Sequence, residues 1–328
     1  MRRRPDLLIT AIAMAVATAS LPALAQERYP ERPVHLMVPS VPGGVNDVIA
    51  RLWADQARPL LGTIVVDNHG GGGGLMGATD VAKALPDGYT LMLASTTTQV
   101  LITPLLARPP YDPINDFAYI SVFANSSTSV VIHPSVPATT LMELIAYAKA
   151  NPHKLSYGSA GNGSITNLTG ELFKKLAGDL DIVPIPYKGI GEGIQDLVSG
   201  RVPMFIANAT AQILELNRTG KVRILAVNAA ARIKGAPEIP TSTEAGLPGM
   251  IAQMTFGIVA PAGTPKPILA RIDAVTQKLM ADEAFQARLV GIGFEPMLGL
   301  GPAQAEQQFK DETARWLPIV KANGVPPG

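Results

Sequence analysis

Along the chain, short apolar runs alternate with stretches whose apolar residues recur at helical spacing. Val34 to Val38 is a compact strand-like run, interrupted only by His35. After a Pro-Gly-Gly turn, Ile49, Leu52, Trp53 and Leu60 fall on or near one face of a helix starting at about Asp47. Ile64 to Val66 predicts a second strand, Leu75 to Leu85 a helix, and Tyr89 to Ala94 a third strand. A second block opens with a strand at Ser129 to Ile132 and a helix at Leu141 to Ala150. The strand Leu155 to Gly158 then runs into a helix carrying Leu168, Leu172, Phe173 and Leu176. Strands at Ile182 to Ile185, Met204 to Ile206 and Val222 to Val227 alternate with helices starting near Glu192 and Ala211. A proline-rich connector, Pro237 to Pro248, leads to a strand at Phe256 to Val259, a long helical region from Pro267 and a helix from Ala303 to Lys321. Strands alternating with helices in this way predict α/β architecture with mainly parallel sheets.

The N-terminus follows another rule. Arg2, Arg3 and Arg4 precede an uncharged, mostly apolar run from Leu7 to Ala19, and Ala23-Leu24-Ala25 has the form of a cleavage signal. The pattern predicts an exported chain, cut after Ala25. The apolar run falls short of the ~20 residues that a spanning helix needs. Pro5-Asp6, where a twin-arginine signal prefers a hydrophobic pair, favours general secretion. Removing a segment that contains three arginines and Asp6 takes the formal charge from +1 to −1. A near-neutral chain lacks the basic surface that nucleic acid requires. With no cysteine, disulfides, thiolate metal sites, a cysteine nucleophile and N-terminal lipidation are all excluded. About 300 mature residues suit two domains.

Gly72-x-Gly74-x-x-Gly77, between a strand and a helix, has the spacing of a dinucleotide-binding turn. The next strand ends at Ala94-Ser95, however, where such a site needs an acid for the ribose. The alternative is a turn that lets helix and strand approach closely. The four histidines are scattered and no Gly-x-Ser-x-Gly elbow occurs, so neither a metal centre nor a hydrolase site is predicted. Asp47, Asp67 and Asp87 lie near loop starts, where aspartate is more often a cap than an acid–base group. Three strand-to-helix junctions are rich in small hydroxyl, amide and glycine residues: Ser40 to Asn46, Ser95 to Thr98 and Ser159 to Asn167. Helix starts there point free N–H groups outward, and hydroxyls add donors without bulk. Such junctions suit a carboxylate held by neutral donors, or else are simply capped helices.

Seven ordered motifs carry a resemblance. They are Pro39-Ser-Val-Pro-Gly-Gly-Val-Asn-Asp47, Pro86-Asp-Gly-Tyr-Thr-Leu91, Ser159-Ala-Gly-Asn-Gly-Ser164, Gly170-Glu-Leu-Phe173, Pro186-Tyr-Lys-Gly189, Glu244-Ala-Gly-Leu-Pro-Gly249 and Ala260-Pro-Ala-Gly-Thr-Pro265. Together they resemble the Bug-type extracytoplasmic solute receptors of tripartite tricarboxylate transporters, from about Tyr29 to the C-terminus. The resemblance implies a periplasmic binding protein-like fold, two α/β domains with a ligand cleft between them and hinge crossovers. Residues 27–126 and 252–328 would form domain 1 and residues 127–251 domain 2. It implies a non-catalytic receptor without cofactor or metal, acting as a monomer. A small carboxylate would be captured and delivered to membrane permease subunits, or presented to a signalling partner; an exported enzyme or dinucleotide-binding protein is the rival reading.

Carried onto this sequence, the family's ligand loops map to Gly43, Gly44, Ser95, Thr96 and Thr97 on one side. Ser159, Ala160, Gly161, Asn162, Ser164 and Thr166 map to the other. The glycine run aligns with a turn of domain 1. Departures fall at Asn46, in a place often taken by threonine, at Ala207 before Asn208, where aspartate is frequent, and at Thr255, where tryptophan is common. Placing these residues on the cleft wall predicts a ligand without an amino group, either a dicarboxylate or an aromatic carboxylate.

Overall fold

The computed structural model describes residues 29–323, so the segment read as an export signal lies outside the described residues. Residues 29–31 carry no regular element, and the compact body begins at Arg32. There, β1 (Val34–Val38), α1 (Val45–Leu61), β2 (Ile64–Asn68), α2 (Leu75–Ala82) and β3 (Thr90–Ser95) follow in the expected order. β1 pairs in parallel with both β2 and β3. Val34, Leu36 and Val38 alternate into the core, and α1 closes one side with Ile49, Trp53 and Ala57.

The middle of the sheet departs from the parallel expectation. β4 (Phe117–Ile132) is sixteen residues long, and the strand expected at Ser129 is only its end. The next elements are α3 (Leu141–Ala150), β5 (Leu155–Ser159), α4 (Ile165–Leu176), β6 (Ile182–Pro186) and α5 (Ile190–Val198). After them come β7 (Met204–Asn208), α6 (Ala211–Arg218), β8 (Arg223–Val227) and β9 (Gln253–Pro261). The long helical region from Pro267 is two helices, α7 (Lys266–Met280) and α8 (Glu283–Gly291), the second capped by the Asp282 side chain. β10 (Glu295–Leu300), not expected from the pattern, and α9 (Pro302–Asn323) complete the chain.

The strands run in the order β2-β1-β3-β9-β4-β7-β5-β6, with β8 and β10 also on β4. Residues Phe117 to Ser127 of β4 lie antiparallel to β9, while Thr128 to Ile132 lie antiparallel to β7. One strand therefore serves both ends of the sheet, and its pairing changes hands at Ser127-Thr128. Parallel pairs are confined to the flanks, β2-β1-β3 and β6-β5-β7. The carboxyl ends of β1 and β3, and those of β5 and β7, deliver the loops read above as ligand-binding. Among the described residues no helix is long and apolar enough to cross a membrane.

Candidate functional site

The first loop joins β1 to α1. Gly43 takes a left-handed φ of 77°, and Gly44 caps α1 with extended backbone and no side-chain acceptor. Asp47 lies inside the first turn of α1 and not at the cap position that sequence reasoning expected. Its carboxylate accepts the Gly43 N–H at 2.9 Å and pairs with Arg51, which also reaches Asn68. Burial raises the Asp47 carboxyl, but hydrogen bonds from Arg51 and the Gly43 amide outweigh it and hold the group below its ordinary value. Asn46 is only 7 % exposed, and its Oδ1 has no partner among the described residues. Rotation of the amide exchanges oxygen for NH₂, so Asn46 can present a donor as readily as an acceptor.

The second loop leaves β3. Thr98 closes it by accepting the Ser95 N–H at 3.1 Å and donating to the Ser95 carbonyl at 3.2 Å. The chain then enters a π-helical turn, Thr97–Leu101. The Thr96 hydroxyl is committed elsewhere: it donates to Glu312 Oε2 at 2.7 Å and accepts the Thr255 N–H at 2.8 Å. What Thr96 retains for a ligand is backbone. The Thr97 side chain, 6 % exposed, makes no hydrogen bond to the described residues.

The third loop joins β5 to α4. Ser164 caps the helix, accepting the Asn167 N–H at 3.2 Å and donating to the Gly161 carbonyl at 2.7 Å. With that proton used, the 3.0 Å contact between Ser164 and Thr166 has Thr166 as donor, and Thr166 also accepts the Ala160 N–H at 2.9 Å. Both hydroxyls thus hold the loop itself. The first-turn amides of Ile165 and Thr166 have no intrahelical acceptor. Ser159 is different. Its hydroxyl is 0 % exposed and without a partner among the described residues.

The loops meet. A Cβ on Gly73 would lie 2.8 Å from Ile102 Cδ1 and 3.9 Å from the Asn162 carbonyl, and one on Gly163 would lie 2.7 Å from Leu105 Cδ1. Gly189, after β6, faces Val41 of the first loop at 3.4 Å on the same measure. Loops from the β2-β1-β3 flank therefore touch loops from the β6-β5-β7 flank along a closed seam. The glycine run forms a turn, as expected, with left-handed φ from Gly71 to Gly74. A Cβ at Gly74 would come 2.8 Å from the Pro39 carbonyl and 3.1 Å from Thr98 Cγ2. The run is thus wedged between the first two loops, which explains its lack of side chains without a nucleotide.

Two residues expected on the cleft wall lie elsewhere. Ala207 points into an apolar cluster with Phe205, Ile194 and Ile213, because alternate residues of β7 face that side. Thr255, on β9 opposite Asn125, donates its hydroxyl to Glu312. Neither position therefore excludes an amino group from the ligand. Asn208 ends β7 fully enclosed, with Nδ2 at 3.4 Å from the Ser126 carbonyl. Glu312 itself was missed. Burial pushes its carboxyl up, against hydrogen bonds from Thr255, Thr96 and Gln308 that lower it, with a net upward shift. A signal existed: Glu312 interrupts the buried stripe Ala305, Phe309, Trp316, Val320 of α9. Beside it lies a cavity of about 230 Å³, bounded also by Asn125, Gln253, Asp311 and Arg315.

The fold and its loop cluster are those of a periplasmic binding protein. Residues 49–325 match the model of the tripartite tricarboxylate transporter family receptor, and the chain belongs to that family. Protein BugT of Bordetella pertussis is 33 % identical over 97 % of this chain and 98 % of its own. Among solved structures, the R. palustris protein Rpa4515 with adipate superposes with a TM-score of 0.86 at 34 % identity, covering 92 % of this chain and all (100 %) of that one. MatC from Rhodopseudomonas palustris with bound malate gives 0.82 at 30 % identity, over 89 % of this chain and 100 % of its own. Members of this family are solute-binding receptors and not enzymes.

Proposed function

We propose that this protein captures a small dicarboxylate at the seam between its two flanks and hands it to the membrane subunits of a tripartite tricarboxylate-type transporter. The observation that carries the reading is the Ser159 hydroxyl, wholly buried beside a helix start and without a partner among the described residues. An unsatisfied buried hydroxyl costs stability, and a ligand oxygen removes that cost. Support for a carboxylate comes from the first-turn amides of α1 and α4 and from the Thr97 hydroxyl. Adipate and malate in the two relatives point to a dicarboxylate. Residues 27–126 with 252–328, and residues 127–251, would act as domains that part to admit the ligand. Export with cleavage after Ala25 would deliver the receptor to the periplasm.

A thermal-shift panel of succinate, malate, adipate, benzoate and NAD tests the reading. At a hundredfold excess over Kd, binding stabilises the fold by ~2.7 kcal/mol. At least one dicarboxylate is expected to stabilise the protein and NAD is not. Stabilisation by NAD alone overturns the reading and restores the nucleotide interpretation of the glycine run.

A further inference from the structure

We propose that Glu312 is a positioning residue for the ligand loop Ser95 to Thr97, acting through the Thr96 hydroxyl; the inference rests on that loop belonging to the carboxylate site. One side chain on α9 gathers two remote segments and its own preceding turn. Its Oε2 accepts from Thr96 at 2.7 Å, and its Oε1 accepts from Thr255 and, at 3.2 Å, from Gln308. The Thr255 N–H donates back to the Thr96 oxygen at 2.8 Å. The Thr96 hydroxyl therefore has both its proton and a lone pair assigned, which fixes its rotamer and the peptide planes on either side. Those planes carry the amides of Thr96 and Thr97.

A donor amide is useful to a ligand only when aimed, since hydrogen bonds weaken steeply off line. An amide fixed before binding also spares the ligand the entropy of ordering it. Glu312 is 5 % exposed and lies amid apolar neighbours of α9, a costly place for a carboxylate. Leucine or methionine at that position of the stripe fills the space at no such cost, but offers Thr96 no acceptor. Thr255 adds a second consequence. It sits opposite Asn125, close to where β4 exchanges one set of partners for the other. Glu312 thereby ties the ligand loop to the crossing strands, so movement of one is passed to the other.

Hydrogen–deuterium exchange and calorimetric titration of the mature chain test the proposal. The probe is the dicarboxylate of the panel above that binds the wild type most tightly. Glu312→Gln keeps the shape and one acceptor oxygen but leaves Thr96 or Thr255 without one. Exchange in residues 95–101 is expected to rise about tenfold while residues 141–150 stay unchanged, and affinity to fall about tenfold. Thr96→Val should cause a similar loss, the double variant no more than either, and Thr96→Ser almost none. Unchanged exchange at residues 95–101, or additive losses in the double variant, overturns the proposal. If Glu312→Gln does not fold, Thr96→Val against Thr96→Ser decides the matter from the other end of the bond, equal affinities counting against it. A wild type that binds no dicarboxylate defeats the carboxylate reading, and this proposal with it. A wild type that binds, beside a Glu312→Gln variant of equal affinity, defeats this proposal alone.

Discussion

Replacing Ser159 by alanine separates stability from binding, because the hydroxyl is buried and has no partner among the described residues. A buried hydroxyl left unsatisfied costs ~1–3 kcal/mol, so the unliganded Ser159→Ala protein should be more stable than the wild type. In a chain of this size each kcal/mol raises Tm by roughly 2 °C. Bound dicarboxylate reverses the sign of the substitution. A hydrogen bond to a charged oxygen contributes ~1.5–3 kcal/mol, so its loss should weaken Kd by roughly tenfold to a hundredfold. Two assays suffice: thermal melting without ligand, and calorimetric titration of both proteins with the best dicarboxylate. Lower Tm together with an unchanged Kd would refute the reasoning. That outcome means the hydroxyl serves the fold, bridged by a buried water.

Ser164→Ala should behave in the opposite way, since Ser164 caps α4: stability falls by about 1 kcal/mol, while affinity changes less than in Ser159→Ala, as melting and titration would show. Gly189→Leu adds a side chain where Val41 Cγ2 already lies 3.4 Å from a Cβ position, at a φ of −176° that any residue adopts. It should hold the seam apart, enlarging the radius of gyration in solution scattering and weakening ligand binding without lowering Tm. Asp47 is depressed below its ordinary value in the fold, so its contribution is present above the usual carboxylate range near pH 4 and is lost as pH falls through the folded value. Asp47→Asn should therefore flatten the loss of stability between about pH 4 and pH 2, measured by denaturant unfolding at each pH.

Much of this fold is written in the hydrophobic period. β1 and α3 fall where the pattern placed them, β5 and β6 each end one residue past their expected bounds, and α4 carries the expected Leu168, Leu172, Phe173 and Leu176. Hydroxyl-rich segments were less legible. No element is expected at Ser126 to Thr128, and Ser129 opens the expected strand, yet all four are buried in β4 and bonded to neighbouring strands or loops. Their polarity belongs to a strand whose partners change at that point. The loops of the site were found because glycine and hydroxyl residues at strand ends have few other uses. Which hydroxyls are free was not legible. Ser159 and Ser164 belong to one motif, yet one is a cap and the other unpaired, a difference set by backbone turns at Gly161 and Gly163. Ala207 and Thr255 were misplaced for a related reason: a motif gives position along the chain and says nothing of which face a side chain takes.

The most direct measurement is a crystal structure of the mature protein grown with the tightest-binding dicarboxylate of the panel. One carboxylate is expected within hydrogen-bond distance of Ser159 Oγ and the first-turn amides of α4, with Thr97 or Asn46 reached from the facing loops. A dicarboxylate lodged instead in the cavity beside Glu312, with Ser159 still unpaired at an empty seam, would contradict the account.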